Sequence, residues 1–206
     1  MITNRKKRIS ALCVTLLTLL CLAGCGQPET EEESGIMSEE QISTMEALYG
    51  QDQAAVLEGL GLKDSDVSEG DNAGCWDLQE TAALFGAEFK QMILYDVSTE
   101  TMYGMWYAYN SDEETAPLEL AENLLEECSS LYGEPSTYPG SLNQLTNEDF
   151  AEDFSKTWSD GLSDSWSETW SVGENTTCTL NVSVLPDASG SMNAYFNLQY
   201  TIKAAR

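Results

Sequence analysis

The chain has 206 residues, with 35 acidic side chains against nine basic ones, a formal charge of −26 and no histidine. A field of that sign repels phosphate backbones, so nucleic acid is excluded as a partner. The missing imidazole excludes Ser-His-Asp and Cys-His catalysis and His-bearing zinc sites, and no phosphate-cradling or dinucleotide-binding glycine pattern points to a cofactor.

Arg5, Lys6, Lys7 and Arg8 precede an apolar run from Ile9 to Leu22. Those 14 residues fall short of the roughly 20 that a spanning helix needs. A basic segment, a short apolar segment and small residues after it describe a secretory signal. The tetrapeptide Leu22-Ala23-Gly24-Cys25 resembles the lipobox of bacterial lipoproteins. The resemblance implies that residues 1–24 are a signal peptide and that Cys25 carries a diacylglycerol as the first residue of the mature chain. It also implies that membrane lipid is a partner, engaged through acylated Cys25 on the extracytoplasmic face of a bacterial membrane. The alternative is an ordinary signal peptide or short anchor. Two or more acyl chains give stable attachment. Cleavage would leave five basic residues against 35 acids, a formal charge of −30 on 182 residues. That charge repels anionic lipid, so the lipid itself must hold the protein to the membrane.

Residues 25–35, with Glu29, Glu31, Glu32 and Glu33, bury too little to offset their ordering entropy and read as a disordered tether. A single domain is expected over residues 36–206, with no internal repeat. Ser38 and Gln41 form a capping box for a first helix that Gly50 closes, and residues 52–60 suit a second. Residues 63–74 read as a polar loop. From Phe85 the period shortens: Phe89, Ile93, Tyr95 and Val97 share one parity and Met92 and Leu94 the other, as in a strand buried on both faces. After a turn at 98–101, residues 102–109 return as a strand, with Tyr103, Met105, Tyr107 and Tyr109 on one face. Thr115 and Pro117 start a helix with a stripe of Leu118, Ala121, Leu124, Leu125, Cys128, Leu131 and Tyr132, and Gly133 caps it. Residues 157–172 suit a helix and a strand equally. The alternations 180–184 and 196–202, separated by a turn at 186–191, form a hairpin with one wet face. The fold class expected is therefore α+β, an antiparallel sheet of hairpins with helices packed on one face.

"ALFG" (83–86) at the first hairpin and "LYGEP" (131–135) after the long helix are similar to stretches of small envelope lipoproteins of the outer-membrane-assembly and β-lactamase-inhibitor-protein-like kind. The resemblance implies helices preceding a hairpin and transfers no functional residue.

Cys75, Cys128 and Cys178 follow the anchor cysteine. An odd count leaves at least one thiol free; the default is three small buried hydrophobes, and a Cys128–Cys178 or Cys75–Cys178 bridge is the alternative. Asp64 and Asp66 begin like a calcium loop, but Glu69 stands where its glycine belongs and Cys75 where its bidentate glutamate belongs, so no metal ligand is assigned. Thirty-five acids create close carboxylate pairs in any fold, so no catalytic pair stands out and no catalytic residue is assigned. Trp158, Trp166 and Trp170, flanked by Asp160, Asp164, Ser165 and Glu168, are the ligand-binding candidates: an aromatic platform for a sugar or peptide. Large aromatics closing the core are the competing reading. The function expected is a membrane-anchored extracytoplasmic lipoprotein that binds a ligand or an envelope protein. A carboxylate-dependent hydrolase or a purely structural or inhibitory envelope protein is the alternative.

Overall fold

A computed structural model describes residues 36–136 and 143–203. The segments expected to be a signal peptide (1–24) and an acidic tether (25–35), with Cys25, lie outside the described residues. In chain order the elements are α1 (Glu39–Ala47), α2 (Gln53–Leu60), a 3-10 turn (Asp64–Asp66), β1 (Val67–Glu69), β2 (Cys75–Leu84), β3 (Ala87–Asp96) and β4 (Thr101–Ser111). There follow α3 (Thr115–Tyr132), α4 (Phe150–Ser159), β5 (Asp164–Ser171), β6 (Thr176–Pro186) and β7 (Met192–Ile202). The strands form one antiparallel sheet in the order β1-β2-β3-β4-β7-β6-β5. The fold is α+β, and the helices pack on one face of the sheet.

Local chemistry accounts for most boundaries. Ser38 Oγ accepts from Gln41 N while Gln41 Oε1 accepts from Ser38 N, so two donors of the first turn are satisfied at once. Asp52 Oδ1 accepts from Ala55 N and caps α2. Between β2 and β3, Phe85 and Gly86 take φ of 48° and 79° in succession, the twist that a two-residue hairpin turn requires. Several elements depart from expectation. The segment 63–74 holds the 3-10 turn and β1 rather than loop alone. β2 lacks a clean alternation because its pairing with β3 shifts register between Asp77 and Thr81.

The sheet also carries an internal repeat that the sequence reading did not expect. A helix pair and three antiparallel strands occur twice, as α1-α2-β2-β3-β4 and as α3-α4-β5-β6-β7. Apart from the short edge strand β1, the strand order is palindromic about the central β4–β7 pair. Leu-Tyr-Gly ends the first helix of each half, at 48–50 and 131–133, with Gly50 and Gly133 both at positive φ.

The core lies between the helices and the inner sheet face. α3 contributes Leu120, Ala121, Leu124 and Cys128, all buried. The stripe expected there extended to Leu131, which is exposed instead. β6 and β7 supply Cys178, Leu180, Val182, Phe196, Leu198 and Tyr200, each fully buried. Every leucine or phenylalanine so placed contributes about 1.5–3 kcal/mol relative to exposure. The hydroxyls of Tyr132 and Tyr200 lie 3.0 Å apart, Tyr132 donates to Met37 O, and Met37 N donates to Tyr200. The start of the described chain is thereby fastened into the helical layer.

Burial raises the hydroxyls of Tyr107, Tyr132 and Tyr200 above the ordinary tyrosine value. A raised folded-state pKa gives stability that is fully present below about pH 10 and lost above it, because the unfolded chain releases those protons first. Chemical denaturation across pH should therefore show this tyrosine contribution constant up to about pH 9 and falling beyond pH 10.

Candidate functional site

Every described helix sits on one side of the sheet, so among the described residues the other side is open. Its β4–β7 portion is a regular array. Ser165 lies opposite Ser183, Ser183 opposite Tyr195 and Tyr195 opposite Asn110. The next row is Ser167, Asn181, Asn197 and Ala108, then Thr169, Thr179, Gln199 and Trp106, then Ser171, Thr177, Thr201 and Gly104. Sixteen positions on four strands carry no charged side chain, in a chain of formal charge −26.

The array is braced laterally. Thr169 and Thr179 hydroxyls lie 3.1 Å apart, those of Thr177 and Thr201 3.0 Å apart, and Ser183 donates to Asn181 at 2.9 Å. Trp106 Nε1 donates to Asn197 Oδ1 at 2.9 Å and fixes the one tryptophan of this face. Behind Trp106 the face turns apolar: Cys75, Met92 and Leu94 are buried under Tyr103, Trp106 and Ala108. Tyr103 reaches this side because β4 has an irregularity there: Leu94 pairs with Gly104 and Tyr95 with Met102, which skips Tyr103. Tyr103 therefore leaves the stripe of Met105, Tyr107 and Tyr109 to which strict alternation assigns it. Gly104 is needed at the same point, since a Cβ there would meet the carbonyl of Tyr200. At the β2–β3 rim Lys90 Nζ lies 2.6 Å from Asp77 Oδ2, and that carboxylate holds the ammonium above its ordinary value.

The tryptophans singled out from sequence are placed elsewhere. Trp166 and Trp170 are 2% and 0% exposed on the inner sheet face, with Phe150 and Phe154 against Trp166. Trp158, on α4, is partly buried and stacks on Phe154 at 6.1 Å. A platform needs uncovered ring faces, so Trp166 and Trp170 are core residues in this fold. Among their flanking residues, Glu168 is 3% exposed and accepts from Thr146 N and Oγ1 at 3.1 and 2.6 Å. It is an anchor for the 143–146 segment. Asp164 accepts from Asn143, Asp160 caps α4, and Ser165 alone joins the open face.

Other chemistry is sparse among the described residues. Asp66 accepts from Lys63 N and Ser65 Oγ within the 3-10 turn, and no group of three metal-ligating side chains occurs. A groove of about 450 Å³ between α3 and residues 145–151 has Glu122, Glu126 and Glu148 on its rim, all exposed to solvent. No described helix is long and apolar enough to cross a membrane. The open array was not found from sequence because no single position announces it. Its signal is collective: the outward parity of β5, β6 and β7 uses Ser, Thr, Asn, Gln and Tyr and never an acid.

Fold and site together define a two-layer α+β protein whose sheet face opposite the described helices carries an uncharged, internally hydrogen-bonded array on four of its strands. Comparison with protein-family models, curated proteins and solved structures returned no match.

Proposed function

We propose that this is a membrane-anchored extracytoplasmic lipoprotein, lipidated at Cys25, which binds a protein partner at the cell envelope through the open face of its sheet. The observation that carries the reading is the sixteen-position array without a charge. Interface centres are depleted of Lys, Asp and Glu and enriched in aromatics, and surfaces built from Tyr, Ser and Asn with a few Trp recognise proteins by adaptable hydrogen bonds around rigid rings.

Size and shape favour the same occupant. With about 4.8 Å between strands and 3.4 Å per residue, eight residues on the six strands from β2 to β5 cover roughly 800 Å². One side of a standard protein interface has about that area. Small-molecule sites are concave, and this face is open. The acidic remainder of the protein selects a partner whose rim is basic, and speeds encounter with it.

Orientation is consistent with anchoring. Met37 is held in the helical layer by Tyr132 and Tyr200, on the side of the sheet away from the array. The ten residues 26–35 span at most about 35 Å, which bounds the distance between an anchor at Cys25 and that layer.

The test is photo-cross-linking in intact cells from a probe placed at Thr179, at the centre of the array, or at Glu119, exposed on α3. The reading expects one protein adduct of defined mass from position 179 and none from 119. Adducts from 119 alone, or from both equally, would refute it, and heterogeneous glycan adducts from 179 would replace the protein partner by a polysaccharide. The anchor is tested separately, since Cys25→Ser should abolish fatty-acid labelling and release the protein from the membrane.

A further inference from the structure

Cys128 and Cys178 are both fully buried and both free thiols. One lies on the inner side of α3 and the other on the inner face of β6, opposite Tyr200. Tyr132, one helical turn after Cys128, meets the ring of Tyr200 edge to face at 6.5 Å, and Tyr200 is the strand partner of Cys178, so both thiols lie in one buried cluster with Tyr107. Cys75 belongs to the other side of the sheet, beneath Trp106. Four strand spacings separate β2 from β6, about 19 Å, whereas a disulfide needs Cα atoms within about 7 Å. A Cys75–Cys178 bridge is therefore impossible in this fold.

We propose that Cys128 and Cys178 close as a disulfide that fastens α3 to the sheet, and that Cys75 remains a thiol. The oxidant is a second disulfide, of the glutathione or dithiol-oxidoreductase class. One cysteine thiolate attacks it to give a mixed disulfide and expels the first reagent thiolate. The second cysteine thiolate then displaces the reagent's remaining sulfur. Two protein thiols lose two electrons and two protons, and one reagent disulfide becomes two thiols.

The docked pair is poorly suited to start this exchange. Both sulfurs are inaccessible, and burial raises the Cys178 thiol well above its ordinary value. Oxidation therefore proceeds while α3 is undocked, during folding or after local opening, and docking then seals the bridge from reductant. The closed loop of about 50 residues restricts the unfolded chain.

The experiment is refolding of the reduced, purified protein in oxidised glutathione, followed by alkylation, peptide mass mapping and thermal unfolding. The peptide containing Cys128 should be found joined to the peptide containing Cys178, with Cys75 alkylated. The bridged form should unfold about 5–15 °C above the reduced form. Native reduced protein given the same oxidant should react at least tenfold more slowly. Cys75→Ala should keep the shift, and the Cys128→Ala/Cys178→Ala double variant should lose it. Full alkylation of Cys128 and Cys178 after refolding would overturn the proposal, as would a bridge involving Cys75 or a bridged form less stable than the reduced one. The oxidant is supplied in the buffer, so the result does not depend on where the protein resides or on what it binds.

Discussion

Trp170→Ala should destabilise the protein by about 3–5 kcal/mol, lowering the melting temperature by roughly 6–20 °C for a chain of this size. Trp170 is 0% exposed and faces the helical layer from β5, so truncation opens a cavity that packed neighbours fill only in part. Among the described residues its buried Nε1 has no hydrogen-bond partner. An unmet buried donor costs about 1–3 kcal/mol, so Trp170→Phe removes that penalty while keeping most of the ring volume. The phenylalanine variant should retain most of the stability that alanine loses. Binding by either variant, measured below its melting temperature, should equal that of the parent. Denaturant titration of both variants separates a core residue from a ligand platform: a platform would lose binding and keep its stability.

Trp106→Ala should have the opposite profile. Trp106 is half-buried at the border between the polar array and the apolar patch of Met92 and Leu94, and Asn197 fixes its ring. A rigid aromatic near the centre of an interface is the commonest kind of hot spot, costing 2 kcal/mol or more when truncated. The expected loss of partner affinity is thus about 30-fold or greater. The accompanying loss of stability should stay near 1–2 kcal/mol, because only part of the ring is removed from water. Titration of the cross-linked partner, once isolated, against parent and variant measures the first quantity, and thermal unfolding the second.

The sequence was most legible where one local rule acted alone. Ser38 with Gln41, Asp52, Gly133 and the alternations of β6 and β7 each mark their element without help from tertiary contacts, and the α+β class follows from their order. Phe89 and Ile93 against Met92 and Leu94 announce a strand covered on both faces, and both faces are covered: helices on one, Tyr103 and Trp106 on the other. Legibility failed where two rules competed. α4 was missed because Phe150 and Phe154 are its only fully buried apolar side chains, among Glu152, Asp153 and Lys156. Trp166 and Trp170 share a side at both helical and strand periods, and only pairing with Val182 and Cys178 makes them a strand. The irregularity at Tyr103 reverses a parity that simple alternation assigns otherwise. The duplication left only Leu-Tyr-Gly in common between its halves, too little to show before the strands are paired.

The binding surface posed a different difficulty. It consists of an absence of charge, distributed over three consecutive strands, β5, β6 and β7, and the distant β4, so it exists only once their register is known. That same property supplies the most direct test. Gln199 lies between Thr179 and Trp106 in the array, and Gln199→Glu changes one amide to a carboxylate of the same shape with no charged neighbour in its row. Stability should change by less than about 0.5 kcal/mol. An interface that covers this position must bury the new charge without a partner, which costs several kcal/mol. The measurement is the dissociation constant of the isolated partner for parent and Gln199→Glu protein at equal ionic strength. An interface on the open face predicts binding weaker by tenfold or more at an unchanged melting temperature. Equal affinity for the two proteins would contradict it and move the binding surface elsewhere on the molecule.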